Sequence, residues 1–263
     1  MSKSGNVNQL FQNAQAEGIL SDGALNALTV FDIGAEIQNA LSTNVDDVKA
    51  SEVILVSMMP DDSGSIQFEG NEQNVIDGHN LVIESLIASK QKDNLFAHCR
   101  YLNGKILYPY IELSKATKMD KRNYRADQGT PLYDQSVILL GTVLAQTKIY
   151  EDEGIACRTV TLIITDGADE HSRKHGPKDV AAIAHDMLMT ENHIIAAMGI
   201  DDHGRTDFRK VFRDMGIRDE WILTPGNSQS EIRKAFNVFS QSAVRASQSA
   251  VNFSKSAMGG FGA

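Results

Sequence analysis

The sequence predicts an α/β fold, a doubly wound and mostly parallel sheet with helices on both faces. Three observations carry this. From residue 51 onward, apolar strand-like runs alternate with helical patterns, as in successive βαβ units. The run Arg158 to Thr165 is β-branched and apolar without polar alternation, as in a strand buried on both faces. The polar motif Asp61-Asp62-Ser63-Gly64-Ser65 stands just past the first apolar run, Val53-Ile54-Leu55-Val56, and parallel sheets bind ligands at the carboxyl ends of their strands.

The elements follow in order. Glu52 to Met58 reads as a strand and Asn74 to Ser89 as a helix, with Val75, Leu81, Val82, Leu86 and Ile87 on its apolar side. Leu95 to Tyr101 and Lys105 to Tyr110 read as strands joined by a hairpin at Asn103-Gly104. A long helix, Leu132 to Tyr150, is entered after Pro131, and the Arg158 to Thr165 strand follows. Lys178 to Thr190 is helical, His193 to Ile200 a strand, Asp207 to Met215 a short helix and Trp221 to Thr224 a strand. A last helix starts near Ser228. Residues 1–50 differ in pattern. Leu10, Phe11 and Ala14 predict one short helix. Leu25, Leu28, Val30, Ile33, Ile37 and Leu41 predict a second, capped near Ser21-Asp22. The expected organisation is a helical N-terminal extension over 1–50, the main domain over 51–240, and a tail over 241–263.

The tail repeats every seven residues, starting at Ser240-Gln241-Ser242-Ala243, Ser247-Gln248-Ser249-Ala250 and Ser254-Lys255-Ser256-Ala257. Its apolar positions, Ile232, Phe236, Phe239, Ala243, Ala246, Ala250, Phe253 and Ala257, keep a coiled-coil period. The first three are expected to pack on the domain. The distal part is expected to be an interaction helix, with self-association through residues 232–258; a flexible Ser/Ala tail is the alternative.

Composition narrows the function. The chain has 263 residues, enough for one large α/β domain, and its 42% apolar and 22% charged residues suit a folded globular protein. A net charge of -9 argues against broad affinity for nucleic acid or anionic membrane. No stretch approaches the ~20 apolar residues of a membrane span, and Met1 to Asn6 opens no signal-peptide core, so a cytoplasmic location is expected. Cys99 and Cys157 lie far apart in apolar runs, as buried reduced thiols would.

The chemistry-bearing residues form one set. Asp61, Ser63 and Ser65 follow the first strand, Thr130 lies in the loop entering the long helix, and Asp166 follows the strand that ends at Thr165. Three hydroxyls and two carboxylates suit a hard cation, Mg²⁺ first, with Mn²⁺ or Ca²⁺ as substitutes. Mg²⁺ takes about six oxygens, so five side chains leave a position open. With only two carboxylates the ion stays electrophilic, and an acidic side chain from a partner protein can complete the shell.

The ordered motifs D-x-S-x-S, then Gly129-Thr130-Pro131-Leu132-Tyr133-Asp134, then Thr165-Asp166-Gly167, resemble the metal-ion-dependent adhesion site (MIDAS) of von Willebrand factor A (VWA) domains. The resemblance spans roughly residues 51 to 240. It implies a metal site at Asp61, Ser63, Ser65, Thr130 and Asp166, with the hydroxyls coordinating and the aspartates acting largely through water or hydrogen bonds. It also implies a short antiparallel edge strand, which the 95–110 hairpin can supply. The chain looks more like stand-alone microbial VWA proteins than integrins or matrix proteins. By resemblance its partners would be AAA+ ATPases, kinase–phosphatase modules or phage-defence systems. Met58-Met59-Pro60 departs from the family's smooth strand end and predicts a bulged first loop, and Asp62 is expected to point to water.

Other signals read as structure. His171 and His175 form H-x3-H, but no cysteine is near and Gly176-Pro177 marks a loop, so a solvated loop is expected rather than Zn²⁺. His79 and His185 read as surface or half-buried helix residues, and Asp201-Asp202-His203-Gly204 as a polar turn. Lys118, Lys121, Arg122 and Arg125, interleaved with Tyr124, form either a solvated loop or a recognition rim for an acidic partner. No phosphate-binding loop motif is present, and Ser63 has no evident His-Asp pair to activate it. The leading expectation is a non-enzymatic, metal-dependent protein-interaction module. A metal-dependent phosphohydrolase and a structural protein assembled through its tail are the alternatives.

Overall fold

The computed structural model describes residues 3–30, 33–41 and 50–262. Part of the expected 1–50 extension, including its junction with the main domain, and the last tail residue lie outside these. One sheet of six strands organises the chain: β1 (Glu52–Met59), β2 (Leu95–Arg100), β3 (Ile106–Glu112), β4 (Ala156–Thr165), β5 (His193–Gly199) and β6 (Ile222–Leu223). Their order is β3-β2-β1-β4-β5-β6. All neighbours pair in parallel except β2 and β3, the antiparallel hairpin at the edge. β4 is buried along its length after Ala156, as its unbroken apolar run requires. The strand order reverses between β1 and β4, and this switch point is where an open α/β sheet forms its binding crevice.

Helices cover the sheet. α4 (Gly64–Phe68) is a short helix directly after β1, α5 (Glu72–Ile87) links β1 to β2, and α6 (Leu132–Asp152) precedes β4. α7 (Pro177–Met189), α8 (Phe208–Asp214), α9 (Gln229–Gln248) and α10 (Ala250–Gly259) complete the main series. α5 lies against α9 so closely that a Cβ on Gly78 would meet the Phe236 ring at 2.2 Å. α6 is buried nearly all round, from Leu132 to Tyr150. A helix lacking a polar face needs cover on its outer side, and the N-terminal helices supply it.

Among the described residues those helices number three rather than the expected two: α1 (Lys3–Ala16), α2 (Asp22–Leu28) and α3 (Ile33–Ala40). Ser21 caps α2 as expected, its Oγ accepting from Ala24 N at 3.3 Å. The single long helix read from residue 21 onward is interrupted after Leu28, where Thr29 turns the chain. Apolar spacing kept its period across that break and concealed it. A Cβ on Gly141 of α6 would come within 2.7 Å of Leu28 and 2.8 Å of Ile37, so the extension docks through a glycine notch. His175 adds a polar tie, with Nε2 3.1 Å from Ala27 O and Nδ1 3.0 Å from Asp134 Oδ1.

The tail is helical, and part of its heptad face packs inside the molecule. Ala243, Ala246 and Phe253 are buried. Ser249 breaks α9 from α10 and caps the second, accepting from Asn252 N at 3.1 Å. This break folds α10 back onto the domain. The Phe253 ring takes the Arg158 guanidinium at 5.3 Å, and Arg158 also pairs with Glu52 at 2.6 Å. Phe261 meets Trp221 edge-on at 4.7 Å. Much of the stripe is therefore covered within the molecule, while Ala250 stays exposed.

Of the buried histidines, His79, His98 and His193 are held neutral. Burial lowers His79 and His193 to about 4, and burial together with the Arg100 charge lowers His98 to about 3. His79, expected near the surface, bonds the Tyr108 hydroxyl at 2.8 Å. His185 is exposed. Cys99 and Cys157 are free and buried. Among the described residues no helix is long and apolar enough to cross a membrane.

Two outcomes follow. Phe253→Ala should cost about 3 kcal/mol of unfolding free energy in urea denaturation, because it empties a core position and uncovers Arg158. His193 lies near 4 in the folded chain against 6.5 unfolded, so the unfolded state takes up a proton that the native state refuses as pH falls through that window. His193→Gln should therefore lose about 2 kcal/mol less stability than wild type between pH 7 and pH 5.

Candidate metal centre

The three predicted motifs meet at the β1–β4 switch point, because each loop is stitched to the other two. Loop one joins loop two through an isolated parallel bridge between Ser63 and Gln128. There Gly64 N donates to Gln128 O at 3.0 Å and Gln128 N to Asp62 O at 3.1 Å. Loop one joins loop three through Asp61. Its Oδ2 accepts from Thr165 Oγ1 at 2.7 Å and from Asp166 N at 3.4 Å, while its Oδ1 accepts from Ser63 N at 2.7 Å. Loop two joins loop three at Thr130, whose carbonyl accepts from Glu170 N and His171 N at 3.1 and 3.3 Å. Thr130 N in turn donates to His171 Nδ1 at 2.9 Å.

Three of the five predicted side chains touch directly, and Asp61 joins them through the backbone N–H groups of Ser63 and Asp166. Ser63 Oγ and Ser65 Oγ are 2.9 Å apart, and Ser65 Oγ donates to Asp166 Oδ1 at 2.6 Å. Ser63 Oγ reaches the same oxygen at 3.5 Å. Thr130 is held beside them through its backbone, and its side chain is buried. Neighbouring ligands around an octahedral Mg²⁺ at 2.0–2.1 Å stand about 3 Å apart, so the serine pair already has ligand spacing.

Charge supplies a second test of fit. Asp61, Asp62 and Asp166 are buried together, and among the described residues none forms a salt bridge. Burial raises Asp61, and burial plus the Asp61 charge pushes Asp166 up to about 7. Asp166 Oδ2 is buried with no hydrogen-bond partner. Unpaired buried carboxylates are costly, and a divalent cation removes that cost. Ser63, Ser65 and Thr130 would present hydroxyl oxygens to such an ion, Asp166 would face it, and Asp61 would hold the loops. Bound there, the ion would act as a Lewis acid toward an incoming carboxylate. Among the described residues no group of three His, Cys, Asp or Glu side chains is placed to hold a metal.

The structure corrects several readings. Pro60 causes no bulge: β1 runs in register to Met59, opposite Ile163, and Pro60 O accepts from Leu102 N at 3.1 Å. Asp62 does not point to water. It is 1% exposed, its Oδ1 accepts from Asn103 N at 3.0 Å, and burial pushes it up to about 7 although that hydrogen bond opposes the shift. His175 is buried rather than solvated, and His171, though exposed, packs its ring where a Cβ on Gly129 would lie at 2.8 Å. Asp201 to Gly204 is a polar turn as expected, with Asp202 accepting from Arg205 N and Thr206 N.

Supporting residues escaped the sequence reading. Tyr124, inside the basic patch, donates its hydroxyl to Asp61 O. Thr165 bonds Asp61. Asp134 accepts from the backbone of Arg173, Lys174 and His175 at 2.8, 3.1 and 2.8 Å. Thr165 and Asp134 stood inside recognised motifs and could have been found there; Tyr124 carried no local signal.

The sequence matches no protein-family model and no curated protein at a significant level. Solved structures do share its architecture. The pilus adhesin SpaC from Lactobacillus rhamnosus GG superposes with a TM-score of 0.53 at 13% identity, over 79% of this chain and 32% of that one. Proximal thread matrix protein 1 from the mussel byssus gives 0.52 at 14%, over 75% of this chain and 48% of that one. Another structure of the mussel protein, at a TM-score of 0.47 and 16% identity over 75% of this chain and 47% of that one, has zinc in its MIDAS motif. This chain spans between about a third and a half of the length of these structures. At such identities the likeness shows the fold, which is that of VWA domains.

If the buried carboxylates await a cation, Asp166→Asn should raise the stability of the metal-free chain at pH 8. Saturating Mg²⁺ should raise the wild-type melting temperature by roughly 5–10 °C and leave the variant unmoved, by scanning calorimetry with and without chelator.

Proposed function

We propose that this chain, of VWA fold, is a non-enzymatic interaction module. It holds Mg²⁺ through Ser63, Ser65 and Thr130, with Asp61 and Asp166 in support, and binds an acidic side chain of a partner protein at the ion. Mn²⁺ or Ca²⁺ would serve by the same oxygen chemistry. The observation that carries the reading is the pairing of ligand-spaced serine hydroxyls with an unpartnered, buried Asp166 Oδ2 at the switch point. Two neutral hydroxyls in direct contact with one carboxylate leave the ion electron-poor, which favours an anionic ligand from outside.

The enzymatic alternative has less support. Ser63 Oγ contacts Ser65 and Asp166, and the nearby His171 Nδ1 is already engaged by Thr130 N. Neither arrangement presents a base oriented on a nucleophile. A cytoplasmic setting, and a partner within an ATPase or kinase–phosphatase assembly, belong to this proposal.

Proteins that co-purify with the tagged chain from its native host in Mg²⁺ should be lost in chelator, and lost equally with Asp166→Asn and Thr130→Ala. Equal recovery by wild type and both variants in Mg²⁺ would refute metal-mediated binding.

A further inference from the structure

A cavity of about 220 Å³ lies where α1 and the turn after it meet the C-terminal half of α6 and the start of β5. It sits at the opposite end of the sheet from the metal centre, since His193 opens β5 whereas Asp166 follows the end of β4. Its walls are apolar: Leu10, Phe11, Ala14, Ile19 and Leu20 from the extension and Leu144 from α6. Phe11, Ala14, Leu20 and Leu144 are buried, and Leu10 and Ile19 are half-buried.

One buried polar group borders this space from the sheet. His193 lines the cavity, is 3% exposed, and is kept neutral by burial. Its Nδ1 lies 2.7 Å from Thr159 Oγ1, and among the described residues no partner reaches its Nε2. A neutral imidazole with one nitrogen engaged offers the other as donor or acceptor, according to its tautomer. Thr147, the other buried polar residue of the wall, already accepts from Cys157 Sγ at 3.7 Å. A polar atom left unpaired in an apolar pocket costs free energy that a hydrogen-bonding ligand removes.

The mouth is acidic on balance. Lys148 bonds Glu17 at 2.8 Å and Asp152 at 2.7 Å, and the exposed Glu151 lines the opening beside it. Three carboxylates against one ammonium disfavour an anionic ligand. Size narrows the class further. An apolar cavity of about 150 Å³ takes up benzene, so this one has room for a benzene ring with a small substituent.

We infer that this cavity binds a small uncharged aromatic molecule with one hydroxyl, a simple phenol. The ring lies between α1 and α6, and the hydroxyl bonds His193 Nε2. Such a ligand bridges the extension and the domain, so its binding strengthens the docking of α1. The inference is independent of the metal-dependent reading.

The test is titration calorimetry and thermal melting of the full chain with para-cresol, toluene and para-toluate, which share a ring and differ in the polar group. The cresol should bind one to one and raise the melting temperature by roughly 3–5 °C at tenfold excess over its Kd. Wild type should prefer it to toluene by roughly tenfold, and His193→Leu should reverse that order. The toluate should not bind. Ala14→Phe should fill the space and abolish cresol binding, as should Leu144→Trp, with melts verifying that each variant folds. The wild-type comparison of the three ligands needs no variant. Absence of saturable cresol binding, or binding that the filling variants leave unchanged, overturns the site. Equal affinity of wild type and His193→Leu for the cresol overturns the assignment of the hydroxyl to Nε2. Toluate binding as tight as that of the cresol overturns the ligand class.

Discussion

The carboxylate of Asp61 joins the carboxyl end of β1 to that of β4. One oxygen takes Ser63 N and the other takes Thr165 Oγ1 and Asp166 N. Every other feature of the centre depends on this bridge. It fixes the turn that carries Ser63 and Ser65, and it sets the strand end that presents Asp166. Tyr124 donates to the carbonyl of the same residue, so the basic loop is hung from it as well. A carboxylate so fully engaged by donors is a brace more than a ligand, and replacing it leaves several buried donors without partners.

The brace concentrates carboxylates that, among the described residues, form no salt bridge. Asp62 and Asp166 are both driven toward neutrality by burial and by Asp61. An arrangement of this kind lowers the stability of the isolated fold, and strain of that sort persists where the site has work to do. The surrounding scaffold is accordingly firm. β1 and β4 pair over eight residues in register, α6 is buried between sheet and N-terminal helices, and Asp134 ties the loop after β4 to the start of α6.

The two chain ends serve that scaffold. α1 to α3 cover the apolar outer side of α6, with Gly141 giving them room, and His175 connects them to Asp134 at the site's edge. At the other end α10 covers Arg158, and Phe261 just after it covers Trp221. Small tail residues Ala243 and Ala246 pack closely within the chain's own domain.

The strands and long helices were legible because each is specified locally, by apolar period and by turn residues such as Asn103-Gly104. The five candidate residues could be grouped from the sequence because the order of three short motifs combined with the parallel-sheet rule places them at one edge. The break after Leu28, the fold-back at Ser249, the burial of Asp62 and His175 and the role of Tyr124 were not legible. Each is decided by a neighbour distant in sequence: Asn103 for Asp62, Ala27 for His175, Arg158 for Phe253, Asp61 for Tyr124. Sequence by itself determined the fold class and the identity of the candidate ligands, since periodicity and residue chemistry are local properties. Tertiary structure alone decided which carboxylates are buried and which way the tail turns, because desolvation and packing depend on what lies across the fold.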